Sequence, residues 1–166
     1  MAKLIVIGCP GSGKSTMTFK LQEKLNCAVL HLDKIYHIDN EHHITRDELV
    51  QKVNEFANLH DSWIIDGNYV STVEQRIKLA DTVVLLDFDT ELCVKNAINR
   101  SKQEKRADMA AGFDNSKIKD EFIEFIKNFK TNTLPKIMAV LENYKTEKEI
   151  VILKNYNDVD NFIESF

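Results

Sequence analysis

The residues with the clearest chemical signature lie near the start of the chain, where Gly8-Cys9-Pro10-Gly11-Ser12-Gly13-Lys14-Ser15 fits G-x-x-x-x-G-K-[ST] at every specified position. Glycines let successive backbone N–H groups turn inward, and the positive end of the following helix backs them, which makes a cradle for phosphate oxygens. Three of the chain's five glycines are spent here. The spacing places Lys14 for the β- and γ-phosphates, the Ser15 hydroxyl for Mg²⁺, and Thr16 for the α-phosphate. An apolar run precedes the loop and a helical period follows it, which is the context the motif requires. Cys9 sits where a helix end stabilises a thiolate, although loop filling is the simpler role.

Further acids and cations extend the chemistry. Asp33, Asp66 and Asp87 each fall late in, or directly after, an apolar run. Asp66 or Asp87 is the carboxylate expected opposite Ser15 at the metal, and pattern alone leaves the two level. Arginine is scarce: Arg46, Arg76, Arg100 and Arg106 are four of 22 basic residues, so each is a candidate for bidentate phosphate contact. Arg100 and Arg106 flank a polar stretch resembling a mobile lid, and Arg100 alone also reads as a basic helix end. His37, Asp39, His42 and His43 read as a solvated loop in preference to a metal site.

The elements that must position these groups are legible in the apolar spacing. Runs at 4–7, 28–32, 63–65, 83–88 and 150–153 are continuous, as buried parallel strands are. Between them the period changes to three and four. Met17, Leu21 and Leu25 mark one helix; Leu49, Val53 and Phe56 mark a second, opened by a Thr45/Glu48 capping box, and Ser71 with Glu74 suggests another. Ile118, Phe122, Phe125, Ile126 and Phe129 mark a later helix. Another carries Pro135 in its first turn, and 159–163 reads as a short closing helix. Alternation of strand and helix predicts an α/β fold, a parallel sheet covered on both faces, with ligands beyond the C-terminal strand ends.

The 166 residues suit a single domain, and a net charge of −4 with pI near 5.7 argues against a general nucleic-acid binder. Three scattered cysteines and no long apolar run lead us to expect a reduced, cytoplasmic protein without a membrane span. A monomer or weak dimer is expected.

Taken together, Ile7-Gly8-Cys9-Pro10-Gly11-Ser12-Gly13-Lys14-Ser15-Thr16, His31-Leu32-Asp33-Lys34, Trp63-Ile64-Ile65-Asp66-Gly67-Asn68-Tyr69, Leu86-Asp87-Phe88, Arg106-x-Asp108-Met109-x-x-Gly112 and the final Val151-Ile152-Leu153-Lys154 resemble the bacterial DNA topology modulation proteins. That group is related to adenylate kinase and the nucleoside monophosphate kinases, and the resemblance covers nearly the whole chain. It implies a P-loop three-layer fold with strand order 2-3-1-4-5. An acceptor-binding segment would lie at about 33–60 and a lid at about 100–117. By the same resemblance Asp66 takes the Mg²⁺ role and Asp33, Arg46, Tyr69 and Arg76 face the acceptor. Arg100 and Arg106 face the transferring phosphate, and residues 154–157 lie beside the adenine. Two departures stand out: no arginine precedes Pro135, leaving Lys127 or Lys130 as substitutes, and Ala107 stands where proline is common.

The expected activity is ATP- and Mg²⁺-dependent phosphoryl transfer to a small molecule, a nucleoside monophosphate being one candidate acceptor. Two alternatives are a nucleotide-binding regulatory or DNA-associated module without transfer and an ATPase that drives a partner.

Overall fold

A computed structural model describes residues 2–102, 107–112, 114 and 119–166. Five strands form one parallel sheet in the order β2-β3-β1-β4-β5. They are β1 (Lys3–Gly8), β2 (Ala28–His31), β3 (Trp63–Asp66), β4 (Thr82–Leu86) and β5 (Glu149–Leu153). All five fall where continuous apolar runs predict them. The three central strands β1, β3 and β4 are almost wholly buried, because helices cover both of their faces.

The helices are α1 (Lys14–Leu25), α2 (Leu32–Tyr36), α3 (Arg46–Leu59), α4 (Val70–Leu79), α5 (Thr90–Ser101), α6 (Asp120–Lys127), α7 (Leu134–Tyr144) and α8 (Tyr156–Glu164). Helix α1 packs on β1, β2 and β3 and against α8, whereas α4 packs on β1 and against α3 and α7. Met17 and Leu21 of α1, Val73 and Ile77 of α4, and Ile137 and Leu141 of α7 bury their apolar stripes in a common core with the sheet. Among the described residues no helix is long and apolar enough to cross a membrane.

The predicted capping box of α3 is present: the Thr45 side chain accepts from the Glu48 N–H, and Glu48 accepts from the Thr45 N–H at 2.8 Å. Thr45→Ala is expected to cost about 1 kcal/mol, which a melting curve would register as a fall of about 2–4 °C.

The box predicted at Ser71 and Glu74 does not form. Helix α4 is capped by Tyr69 in the left-handed region (φ 34°), Ser71 lies inside the first turn, and Glu74 accepts from the Tyr144 hydroxyl at 2.9 Å. The cause is Arg76, whose guanidinium gathers the preceding turn from the far side. Two further elements have no counterpart in the sequence reading. One is the short helix α2; the other is a π-helical turn at Phe129–Thr133, which joins α6 to α7 ahead of Pro135. The predicted helix through Phe122 begins at Asp120, and Ile118 lies outside the described residues.

Candidate functional site

Parallel pairing aligns the C-terminal ends of the strands, so Gly8, His31, Asp66 and Leu86 close β1, β2, β3 and β4 along one edge. The phosphate loop leaves the sheet there. Its glycines are structural requirements: Gly11 has φ +83°, and a Cβ on it would lie 2.2 Å from the Cys93 carbonyl oxygen. Helix α1 starts at Gly13 with no side-chain cap and no acidic residue in its first turn. Its first N–H groups therefore face the loop without an anion from the helix itself.

Lys14 folds back over this loop, donating from Nζ to the carbonyls of Gly8 (2.9 Å) and Cys9 (3.1 Å). Burial pushes its pKa down, and the charges of Asp33 and Asp66 oppose that shift. Cys9 behaves differently from the helix-end expectation. Its hydrogen bond with Cys93, and then its burial, raise its thiol pKa, so it fills the loop as a neutral group.

Two clefts share the loop. One, of about 420 Å³, runs along Gly11, Ser12 and Gly13 past Thr16 to Asn96 and Tyr156. The Tyr156 ring packs edge-on against Phe88 and its hydroxyl accepts from Asn96 Nδ2 at 2.9 Å. Tyr156 lies within the 154–157 segment expected beside a nucleotide base. The other cleft, of about 460 Å³, contains Lys14, Ser15, Asp33, Asp66, Tyr69 and Phe125 in its walls. Arg100, in the last turn of α5, lines both.

Asp66 is buried and held by His31 Nδ1 at 2.9 Å, a contact that follows from the direct pairing of His31 with Asp66 between β2 and β3. It shares a cleft with Ser15. Asp87 lies just past β4, pairs with Lys130 at 3.2 Å and walls neither cleft. The donor set of the second cleft, a serine hydroxyl with a fixed carboxylate beside a phosphate loop, fits Mg²⁺, which takes one or two protein oxygens and completes its shell with water and phosphate.

Asp33, in the first turn of α2, accepts from the Tyr69 hydroxyl at 2.6 Å. Burial, and next the Asp33 charge, push the Tyr69 phenol well above its ordinary range, so it stays a donor. Gly67 supplies the tight passage between Asp66 and Tyr69: its φ is +133°, and a Cβ would meet Leu32 Cβ at 2.8 Å. Asn68 in the same turn accepts from the Gly8 N–H at 2.9 Å, tying the turn to the phosphate loop.

Two of the arginines expected at the acceptor stand elsewhere. Arg76 is fully buried and donates to three carbonyls, Gly67 (2.8 Å), Asn68 and Tyr69 (3.2 Å), while burial lowers its pKa to about 10. It builds the turn and offers nothing to a ligand. Arg46 is exposed, donates to the Ser71 carbonyl at 3.1 Å, and is not on the wall of either cleft. Arg106 lies outside the described residues.

Other groups enter the site that sequence reasoning passed over. Asp108, inside the Arg106-x-Asp108-Met109 motif, is buried; it accepts from the Ser15 hydroxyl at 2.5 Å and from Arg100 at 3.2 Å. Lys136 walls the second cleft, whereas Lys127 pairs with Glu124 and Lys130 with Asp87, so neither replaces an arginine there. The histidine loop closes on itself: His42 Nδ1 meets Asp39 at 2.8 Å and His37 bridges His43. Among the described residues no group of three His, Cys, Asp or Glu side chains is placed to hold a metal. This loop also joins the stretch at Gly112 and Asp114, through an Asp39–Gly112 bridge and hydrogen bonds between Asn40 and Asp114.

No protein-family model matches the chain, and no curated protein is similar to it in sequence. Solved structures are similar in shape. One is a shikimate kinase from Bacteroides thetaiotaomicron, 16% identical, matching 99% of this chain and 95% of that one with a TM-score of 0.54. Another is an unliganded sugar kinase from a Janibacter species, 15% identical, matching 98% and 90% with a TM-score of 0.55. At such identity the likeness concerns the fold, and the chain has the P-loop kinase fold: a five-stranded parallel sheet with helices on both faces and a phosphate loop after β1.

Proposed function

We propose that the chain is a P-loop phosphotransferase that moves the γ-phosphoryl group of ATP to a small-molecule acceptor with the help of Mg²⁺. The observation that carries this reading is the shared wall of the two clefts: Ser15 and Arg100 line both, with Lys14 between them at the loop. A nucleotide laid along the first cleft, its base toward Tyr156 and Asn96, ends with its γ-phosphate at the mouth of the second. That both similar folds belong to proteins named as kinases adds support.

Catalysis then consists of positioning and charge neutralisation, with no covalent intermediate. Loop N–H groups and Lys14 hold the β- and γ-phosphates, and Arg100 meets the charge that spreads over the transferring group. Ser15 and Asp66 would hold Mg²⁺, which would neutralise part of the phosphate charge. Because Ser15 and Arg100 both engage Asp108 here, nucleotide binding has to displace that carboxylate or share it.

The test combines a melting assay with ADP release. MgATP at about 100 times its dissociation constant is expected to add ~2.7 kcal/mol, a rise of roughly 5–10 °C. A small-molecule acceptor is expected to stimulate ADP release. Stabilisation without any acceptor-dependent ADP, joined by DNA affinity falling steeply with salt, would favour the regulatory module of the DNA topology modulation resemblance. Unstimulated hydrolysis alone would indicate an ATPase.

A further inference from the structure

Among the described residues, the second cleft offers few charges that suit an acceptor already carrying a phosphate. Such an ester brings about two negative charges at neutral pH and needs dedicated cations. Arg76 is sealed in the core and Arg46 stands outside the cleft. Lys14 and Arg100 belong to the donor phosphates. Among the described residues that leaves Lys136 and the His37 imidazole, on walls that also carry two carboxylates, Asp33 and Asp66.

Asp33 is the informative group. Its Oδ1 accepts from Tyr69, and among the described residues its Oδ2 accepts no hydrogen bond. Asp33 walls the same cleft as Lys14, whose ammonium feels its charge. Half-buried on the wall of the cleft, the carboxylate keeps Oδ2 for a donor on a bound ligand. Phe122 and Phe125 line the same cleft with 42% and 41% of their surface exposed. Carboxylate, phenol and two phenyl rings suit an uncharged alcohol with an apolar or ring-shaped portion.

Resting on the phosphotransferase reading, we infer that the acceptor is an alcohol of this kind, not a phosphate ester, and that Asp33 takes its proton. The acceptor O–H bond breaks and its proton passes to Asp33 Oδ2. A bond forms between the acceptor's own oxygen and the γ-phosphorus. The bond from the γ-phosphorus to the β,γ-bridging oxygen breaks, its electron pair leaving on ADP. The products are a phosphate monoester and ADP, and Asp33 returns the proton to water. The Tyr69 hydroxyl, donating to Asp33 Oδ1 from the turn held by Arg76, fixes Asp33 for this step.

The experiment uses γ-labelled ATP with Mg²⁺ and matched probes that differ only in a phosphate: adenosine, cytidine, uridine and thymidine against their 5′-monophosphates, with neutral cyclic alcohols and water as further acceptors. Label is expected in phosphate monoesters of the uncharged alcohols, identified by ³¹P NMR. Asp33→Asn is expected to lower kcat about 100-fold with KM for MgATP within about threefold, and Asp33→Glu to regain part of the rate. Label found in inorganic phosphate alone, with water the sole acceptor, would indicate an ATPase and overturn the inference. Diphosphates formed from the monophosphates would overturn the inference, as would an Asp33→Asn protein with parental kcat. ADP formation with none of these probes, water included, would fail the phosphotransferase reading itself and remove the basis of this one.

Discussion

Lys14→Ala is expected to lower ATP-dependent transfer by about 10²–10³-fold, the cost of losing one preorganised charge at a transferring phosphoryl group. Ser15 and Arg100 stay in place in that variant, so weak MgATP binding persists while turnover collapses. Stability is expected to stay within about 1 kcal/mol of the parent. The ammonium gives two hydrogen bonds to loop carbonyls but is held at the cost of burial, which pushes its pKa down. ADP release and a melting curve on the same preparation measure both quantities. A Lys14→Ala protein turning over at near the parental rate would rule out the proposed chemistry.

Arg76→Leu is expected to produce the opposite pattern, a loss of about 3–5 kcal/mol, which lowers the melting temperature by roughly 10 °C. Leucine keeps an apolar stem in the core but leaves the carbonyls of Gly67, Asn68 and Tyr69 without their shared donor. Each unsatisfied buried carbonyl costs about 1–3 kcal/mol. Arg76→Lys is expected to recover little, since one ammonium cannot span three carbonyls as a planar guanidinium does. Denaturant unfolding decides the matter. Were Arg76 an acceptor ligand, the leucine variant would raise the acceptor KM with its unfolding midpoint unchanged.

Arg76 also shows why part of the site is hard to read from sequence. Scarcity marks an arginine as special without saying whether its partner is a ligand or the protein's own backbone. A usable signal existed: Arg76 falls on the stripe of Thr72, Val73 and Ile77, the face of α4 that is buried. A charged residue on the apolar stripe of a helix is bound for the interior. The strands and the phosphate loop were legible because their patterns are local. Continuous apolar runs mark strands buried on both faces, and the loop is read from residue types at fixed spacing.

Contacts that depend on the packing of distant segments left no such trace. Asp108 reaches Ser15 across 93 positions, and its motif gave no hint of that partner. Lys136 enters the second cleft because α7 follows a π-helical turn, which extra-wide winding produces and no spacing rule predicted. The His31–Asp66 pair was implicit in the order β2-β3, since parallel neighbours in register bring their last residues together. It becomes readable once strand adjacency is known.

The seam between Asp39 and Gly112, continued by Asn40 and Asp114, ties together two stretches that the proposed function assigns to different ligands. Asp108 lies four residues before Gly112 and touches the donor side, while His37 lies two before Asp39 and walls the acceptor cleft. Drawing Asp108 away from Ser15 therefore strains the rim around the acceptor, and filling the acceptor cleft bears on Asp108. Ligands joined in this way are reciprocal in free energy: whichever binds first alters the affinity for the second by the same factor. In initial-rate kinetics the consequence is a family of double-reciprocal lines that intersect, with the apparent KM for ATP shifting as acceptor is added.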